Sequence, residues 1–200
     1  MKTWDILKLG LVLMVYAAVA CVGLAFVYAG TEKTIEQRER ADQEAALKEL
    51  FPHAERFEEI PGTIVSPDNT VSFESQWEAR QGSTIIGVAL QAVGGSYGGS
   101  IEILVGVNAD GTISRIKIMS HSDTPGLGAN AAKKGYFVNK EKRITFYDQF
   151  DGKPVSDPFE PKNDVIAITA ATITSRAVST AVKVAGTAAE QWLAEQGAGI

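Results

Sequence analysis

Cysteine and histidine are almost missing from this 200-residue chain, which has one of the first and two of the second. The single cysteine, Cys21, falls inside an apolar run, so the polar remainder can form no disulfide, no thiolate metal site and no cysteine nucleophile. Iron–sulfur and zinc–thiolate chemistry are excluded there. His53 and His121 stand alone without a partner at metal-ligand spacing, so structural roles and no metal site are expected. Charge is absent from Leu9 to Thr31, 23 consecutive residues between Lys8 and Glu32. Positive charge is in deficit elsewhere: with Lys2, Lys8 and Asp5 set aside, 17 of 19 basic and 23 of 24 acidic residues remain, a net −6. That balance disfavours nucleic acid and anionic lipid as partners.

What is present is enough for one globular domain and an accessory segment, because 45% of residues are hydrophobic and charge is near average. At about 1.5 Å per residue, the uncharged run crosses a bilayer core of roughly 30 Å. The alternative is a cleaved export signal, whose apolar region usually covers only about 7 to 15 residues. Lys2 and Lys8 before the run are matched by Lys33, Arg38 and Arg40 after it, so the positive-inside count does not fix orientation. The simplest reading is a cytoplasmic leader 1–8, a transmembrane helix 9–31, a helical stalk 32–52 stopped by Pro52, and an exported domain 53–200. That places the chain in the cytoplasmic (inner) membrane, single-pass, with its domain on the outer, periplasmic side. Ala17, Cys21 and Ala25 recur every four residues, either as a face for a partner membrane helix or as generic anchor residues.

Pro61 to Gln81 reads as a loop on which Phe73 and Trp77 pack. Thr84 to Val93 is a strand candidate, and Gly94 to Gly99 a glycine-rich loop carrying Tyr97. This run is not a dinucleotide fingerprint, because a strand follows it and not a long helix. Ile101, Ile103, Val105 and Val107 alternate, Asn108 to Gly111 supply a turn, and Ile116 and Ile118 alternate on the return, which is a hairpin. Arg143 to Phe150 is a further strand candidate ending at Asp151-Gly152. Val178, Val182, Ala185, Ala189 and Trp192 follow helical spacing, with Thr172, Thr174 and Ser175 available as caps at the start. The expected fold class is α+β: an antiparallel sheet closed by a C-terminal helix.

Two segments carry candidate chemistry. One is Ser122-Asp123-Thr124-Pro125-Gly126-Leu127-Gly128-Ala129; the other runs from Asp164 through Thr169-Ala170-Ala171-Thr172 to Thr174-Ser175. The second resembles the flavinylation motif of FMN-binding-domain proteins, the first resembles their Glu-Thr-Pro-Gly-Leu-Gly loop, and Tyr97-Gly98-Gly99 resembles a third element of that family. In order and spacing the three are similar to the G subunit of Rnf-type ion-translocating ferredoxin:NAD oxidoreductases, and to the related C subunit of sodium-translocating NADH:quinone oxidoreductases. The resemblance is specific from about Tyr97 to Val182.

The resemblance implies an electron-transfer subunit of a membrane translocase, not catalytic alone, with other membrane subunits as partners. It implies FMN attached covalently through a phosphoester to Thr172, delivered from FAD by a dedicated flavin transferase that recognises Asp164, with AMP released. Thr169, Ala171, Ile173, Thr174, Ser175, Asp123, Thr124, Leu127, Gly128 and Tyr97 are the expected cofactor-site residues. The placement is physically sensible, since a phosphodiester anion suits the amides and dipole of a helix N-terminus. On residue types alone, the threonine cluster reads equally as ordinary helix capping and the Pro-Gly segment as a tight turn. Alternatives from other classes are a non-redox membrane-anchored assembly protein and a flavin sensor with the same fold. Two departures from the family pattern are Asp123 for glutamate and Ala170 for glycine. Because a left-handed backbone costs alanine about 1 kcal/mol, an extended or helical conformation is expected at Ala170.

Overall fold

The computed structural model describes residues 3–60, 62 and 64–198, and the side chains of 3, 5 and 6 are outside that description. Met1 and Lys2 of the expected leader, and Pro61 and Thr63 of the expected loop, lie outside the described residues. The chain divides into two units, Met1–Ala45 and Ala46–Ile200. Helix α1 (Thr3–Leu50) runs without a break through the segments expected as membrane span and stalk. Its large apolar side chains from Leu9 to Tyr28 are exposed on all sides, and its most apolar window has a mean hydropathy of 2.5. Among the described residues, this is the helix long and apolar enough to cross a membrane.

The second unit begins inside α1, because the last turn of that helix is buried while the preceding residues are exposed. Ala46, Leu47, Leu50 and Phe51 pack with Trp77, Ala79, Ala89 and Leu104 into a small apolar cluster. The free carbonyls at the helix end find side-chain donors, as Ser114 Oγ donates to Leu50 O at 2.6 Å and Arg115 Nη1 to Glu49 O at 3.1 Å. Phe51 sits over two glycines: a Cβ on Gly87 would stand 2.5 Å from its ring, and one on Gly106 3.1 Å.

The sheet is an antiparallel meander in the order β1 (Arg56–Glu59), β2 (Val71–Gln81), β3 (Thr84–Ser96), β4 (Gly99–Asn108), β5 (Ile113–His121). The β4–β5 hairpin forms as the alternation predicts. Three expectations are corrected. Residues 71–81 are not loop but an eleven-residue strand paired with β3, and its bulges at Phe73/Ser75 and Ala79/Arg80 break the alternation that would have revealed it. The glycine-rich run is mostly strand too, with only Tyr97-Gly98 left as a two-residue turn. Of Arg143 to Phe150, only β7 (Ile144–Thr145), paired with β6 (Phe137–Asn139), is strand; Asp148–Phe150 is a 3-10 turn.

Helix α2 (Thr172–Glu195) packs on β3 and β4, opposite the cluster around Phe51. Val178, Val182, Ala185 and Ala189, the face expected from spacing, are fully buried among Val88, Leu90, Ile103, Val105 and Ile116. The connection between β5 and α2 wraps the same face, burying Phe146, Phe150 and Phe159 as a ladder with ring centroids 5.8 and 6.0 Å apart. Both faces of the sheet are therefore covered, and the loops at one end of β3, β5 and α2 are left to form a site.

Candidate functional site

The site is built where three connections converge: the Tyr97-Gly98 turn, the loop after β5, and the start of α2. Helix α2 is entered through a turn closed by the Ala171 amide donating to Ile168 O at 3.0 Å. Ala170, the third residue of that turn, has φ +61. The expectation of an extended or helical backbone there is corrected: the turn demands the left-handed conformation that favours glycine, and alanine adopts it. Ser175 holds the turn in place. Its buried hydroxyl donates to Ala171 O at 3.0 Å and accepts from the Ile168 amide at 2.9 Å.

The capping expectation is corrected as well. The N-cap of α2 is Ala171, and no side chain caps the helix. Thr172 is the first helical residue, half-buried, and its hydroxyl has no partner among the described residues. The amides of Thr172, Ile173 and Thr174 have no intrahelical acceptor by position, an arrangement suited to an anion. Thr174 and Ser175, expected as further hydroxyl donors, are buried with their hydroxyls already engaged.

After β5, Pro125 and Gly126 form a tight turn in which the Leu127 amide donates to Thr124 O at 3.1 Å, with Gly126 at φ +82. Asn130 Nδ2 ties it by donating to Gly126 O at 2.7 Å. Gly128 is needed for closeness and not for a positive φ, since a Cβ there would stand 2.5 Å from Thr174 Oγ1. Asp123 lies beneath, 5% exposed. Its Oδ2 accepts from Ser96 Oγ at 2.6 Å and its Oδ1 from the Gly98 amide at 2.7 Å, and the Thr174 hydroxyl also donates to it. Burial alone would raise this carboxyl, but those three donors and the nearby His121 outweigh it and hold it below the usual aspartate range.

These segments enclose a cleft of about 550 Å³ lined by Tyr97, Asp123, Thr124, Leu127, Gly128, Ala170–Thr172, Ile173 and Thr174. Nine of the expected site residues are thus brought together; Thr169 and Ser175 are not among its walls. Its rim is apolar, with Tyr97 69%, Ile173 57% and Leu127 42% exposed. Thr172 also borders a second depression of about 450 Å³, formed by Lys162 to Ala170, where exposed Thr169 and half-buried Asp164 lie. Asp164 is tightly held: Oδ2 accepts from Lys153 Nζ at 3.0 Å and the Phe159 amide at 3.2 Å, and Oδ1 from the Glu160 amide at 2.7 Å. Burial raises its carboxyl, and Lys153 with the amides more than reverses that. Sequence reasoning missed Ser96, Lys153 and Asn130, which carry no motif and act only through partners distant in the chain.

An N-terminal-region model of the RnfG family matches residues 1–50, and an FMN-binding domain model matches residues 96–186. The chain is 32% identical over 196 residues to the G subunit of the Na(+)-translocating ferredoxin:NAD(+) oxidoreductase complex of Acetobacterium woodii, covering 90% of this chain and 89% of that protein. It is 34% identical over 164 residues to the G subunit of the proton-translocating ferredoxin:NAD(+) oxidoreductase complex of Clostridium ljungdahlii, covering 80% and 78%. The crystal structure of Shewanella oneidensis NqrC is similar at a TM-score of 0.47 and 18% identity, covering 68% of this chain and 73% of that one. With an FMN-binding domain behind the matching N-terminal region, and its alignment to both relatives running over most of their length, the chain belongs to the family of G subunits of ion-translocating oxidoreductase complexes.

Proposed function

We propose that this chain is the electron-transfer subunit of a membrane-bound, ion-translocating ferredoxin:NAD oxidoreductase complex, and that it carries FMN esterified to Thr172 Oγ. The observation that carries the attachment point is the partner-free Thr172 hydroxyl on the first residue of α2, beside uncapped amides and at the edge of a cleft with an apolar rim. When bound, FMN supplies the acceptance and release of electrons. The protein's part is to hold it. The amides of Thr172, Ile173 and Thr174 face the phosphate, while Tyr97, Leu127 and Ile173 offer apolar surface to the ring system.

Attachment is a group transfer. Thr172 Oγ attacks the FAD phosphorus on the riboflavin side, the bond between the two phosphorus groups breaks, AMP leaves, and the hydroxyl proton passes to a base of the transferase. The transferase recognises the depression on the other flank of Thr172, whose shape Asp164 fixes through Lys153 and the Phe159 and Glu160 amides. The N-terminus lies in the cytoplasm and the flavin domain on the outer side of the membrane, where a covalent link prevents loss of a cofactor that could not be replaced. Intact mass of the protein purified from its native membrane tests the attachment. The expected adduct is roughly 440 Da with colour that survives denaturation, both lost in Thr172→Ala. A colourless wild type without the adduct refutes it.

A further inference from the structure

We propose that Asp123 is a positioning residue for the phosphoester: its carboxylate joins the three segments that wall the cleft, and it acts by holding them and not by touching the flavin. The inference rests on the reading of Thr172 as the attachment point and adds the group that sets its surroundings. Ser96 and Gly98 bring the β3–β4 turn to the two carboxylate oxygens at 2.6 and 2.7 Å, and Thr174 brings the first turn of α2. Asp123 itself belongs to the loop after β5. Each joined segment contributes one member of the apolar rim: Tyr97, Ile173 and Leu127.

The joint is close-packed around the buried Asp123 carboxylate. A Cβ on Gly98 would overlap the Ser122 carbonyl, and one on Gly128 would stand 2.8 Å from Asp123 Cβ. An ionised carboxylate has only acceptors, which matches three donors. The Gly98 amide is held on Asp123 Oδ1 at 2.7 Å, so loss of that acceptor oxygen removes the hydrogen bond anchoring the exposed turn and frees the segment that carries Tyr97. The register of that turn against Thr172 is then lost. Asp123 is the position where glutamate was expected, and the Gly128 backbone lies close against its side chain.

The test uses the full chain in its membrane. In flavin-free Thr172→Ala protein, adding Asp123→Ala is expected to speed amide exchange roughly tenfold at Gly98 and across 172–175, with the centre of β4 unchanged. With Thr172 intact, Asp123→Ala is expected to lower the esterified fraction about tenfold, while Asp123→Glu, which keeps the charge, restores most of it. Should Asp123→Ala not fold, Asp123→Asn is read the same way, and its residual flavin is expected to show a displaced visible band. Full esterification with an unchanged band in the neutral variants, or unchanged exchange at Gly98, overturns the proposal. If the wild type itself carries no flavin, the Thr172 reading fails, and the exchange comparison still decides whether Asp123 holds the three segments.

Discussion

Ala170 holds a left-handed backbone at φ +61 because its neighbours over-determine it. The Ala171 amide closes the turn on Ile168, and the Ser175 hydroxyl bridges the Ile168 amide and the Ala171 carbonyl. The methyl is exposed, so the whole cost is conformational. Ala170→Gly should therefore stabilise the domain by about 1 kcal/mol, partly offset by the greater freedom of glycine in the unfolded chain. Chemical denaturation of the two proteins measures this, and a loss of stability would mean that the methyl makes contacts the structure does not give it. At this scale the chain was only partly legible. The spacing from Asp164 to Thr172 stands in the sequence, whereas the partners of Asp123 lie 27 and 25 residues away and have no spacing rule.

Among the elements, the end of α1 is the least expected. Its last turn reads as part of a solvated stalk, since Leu47 and Leu50 are isolated among charged residues, yet with Phe51 they form the centre of a buried cluster. Gly87 and Gly106 make the room, and no pattern within either strand announces that a ring from elsewhere will fill it. Phe51→Ala leaves a cavity over the two glycines and should cost about 3–5 kcal/mol, read from urea unfolding of the solubilised chain. A cost under about 1 kcal/mol would show that the cluster closes over the gap. The β4–β5 hairpin and α2 were legible because each has one regularly spaced apolar face. Strand β2 was not: its two bulges shift the phase, and both of its faces are partly covered, so its burial never alternates cleanly.

For the domain as a whole, the pH dependence of stability has an identifiable source in Asp151. Burial lifts its carboxyl to about 6, against the hydrogen bond and charge of Arg115, whose Nε lies 3.2 Å from Oδ2, while Asp148 and Glu49 add to the rise. The folded state then binds a proton more tightly than the unfolded one. Stability should decline as pH rises from about 4 to about 6 and be level above that. Asp123 and Asp164 act with the opposite sign, but their depressed carboxyls matter only below the ordinary aspartate range, so the two effects occupy different windows. Asp151→Asn should flatten the slope between pH 4 and 6 and add on the order of 1–2 kcal/mol at pH 7. An unchanged slope in denaturation series of the variant would assign the dependence elsewhere.

Local chemistry in the sequence determined an uncharged 23-residue run, a hairpin with one apolar face, an amphipathic final helix and a threonine at its head. Each is a property of neighbouring residues, and periodicity records neighbours. The tertiary structure decided which hydroxyls are free: Ser175 and Thr174 are drawn into the turn and the Asp123 joint, while Thr172 remains without a partner among the described residues. It also decided that an alanine takes the glycine's conformation and that one aspartate gathers three loops. Those outcomes depend on which distant groups meet, and hydrogen bonds and close contacts between segments far apart in the chain leave no period for the sequence to display.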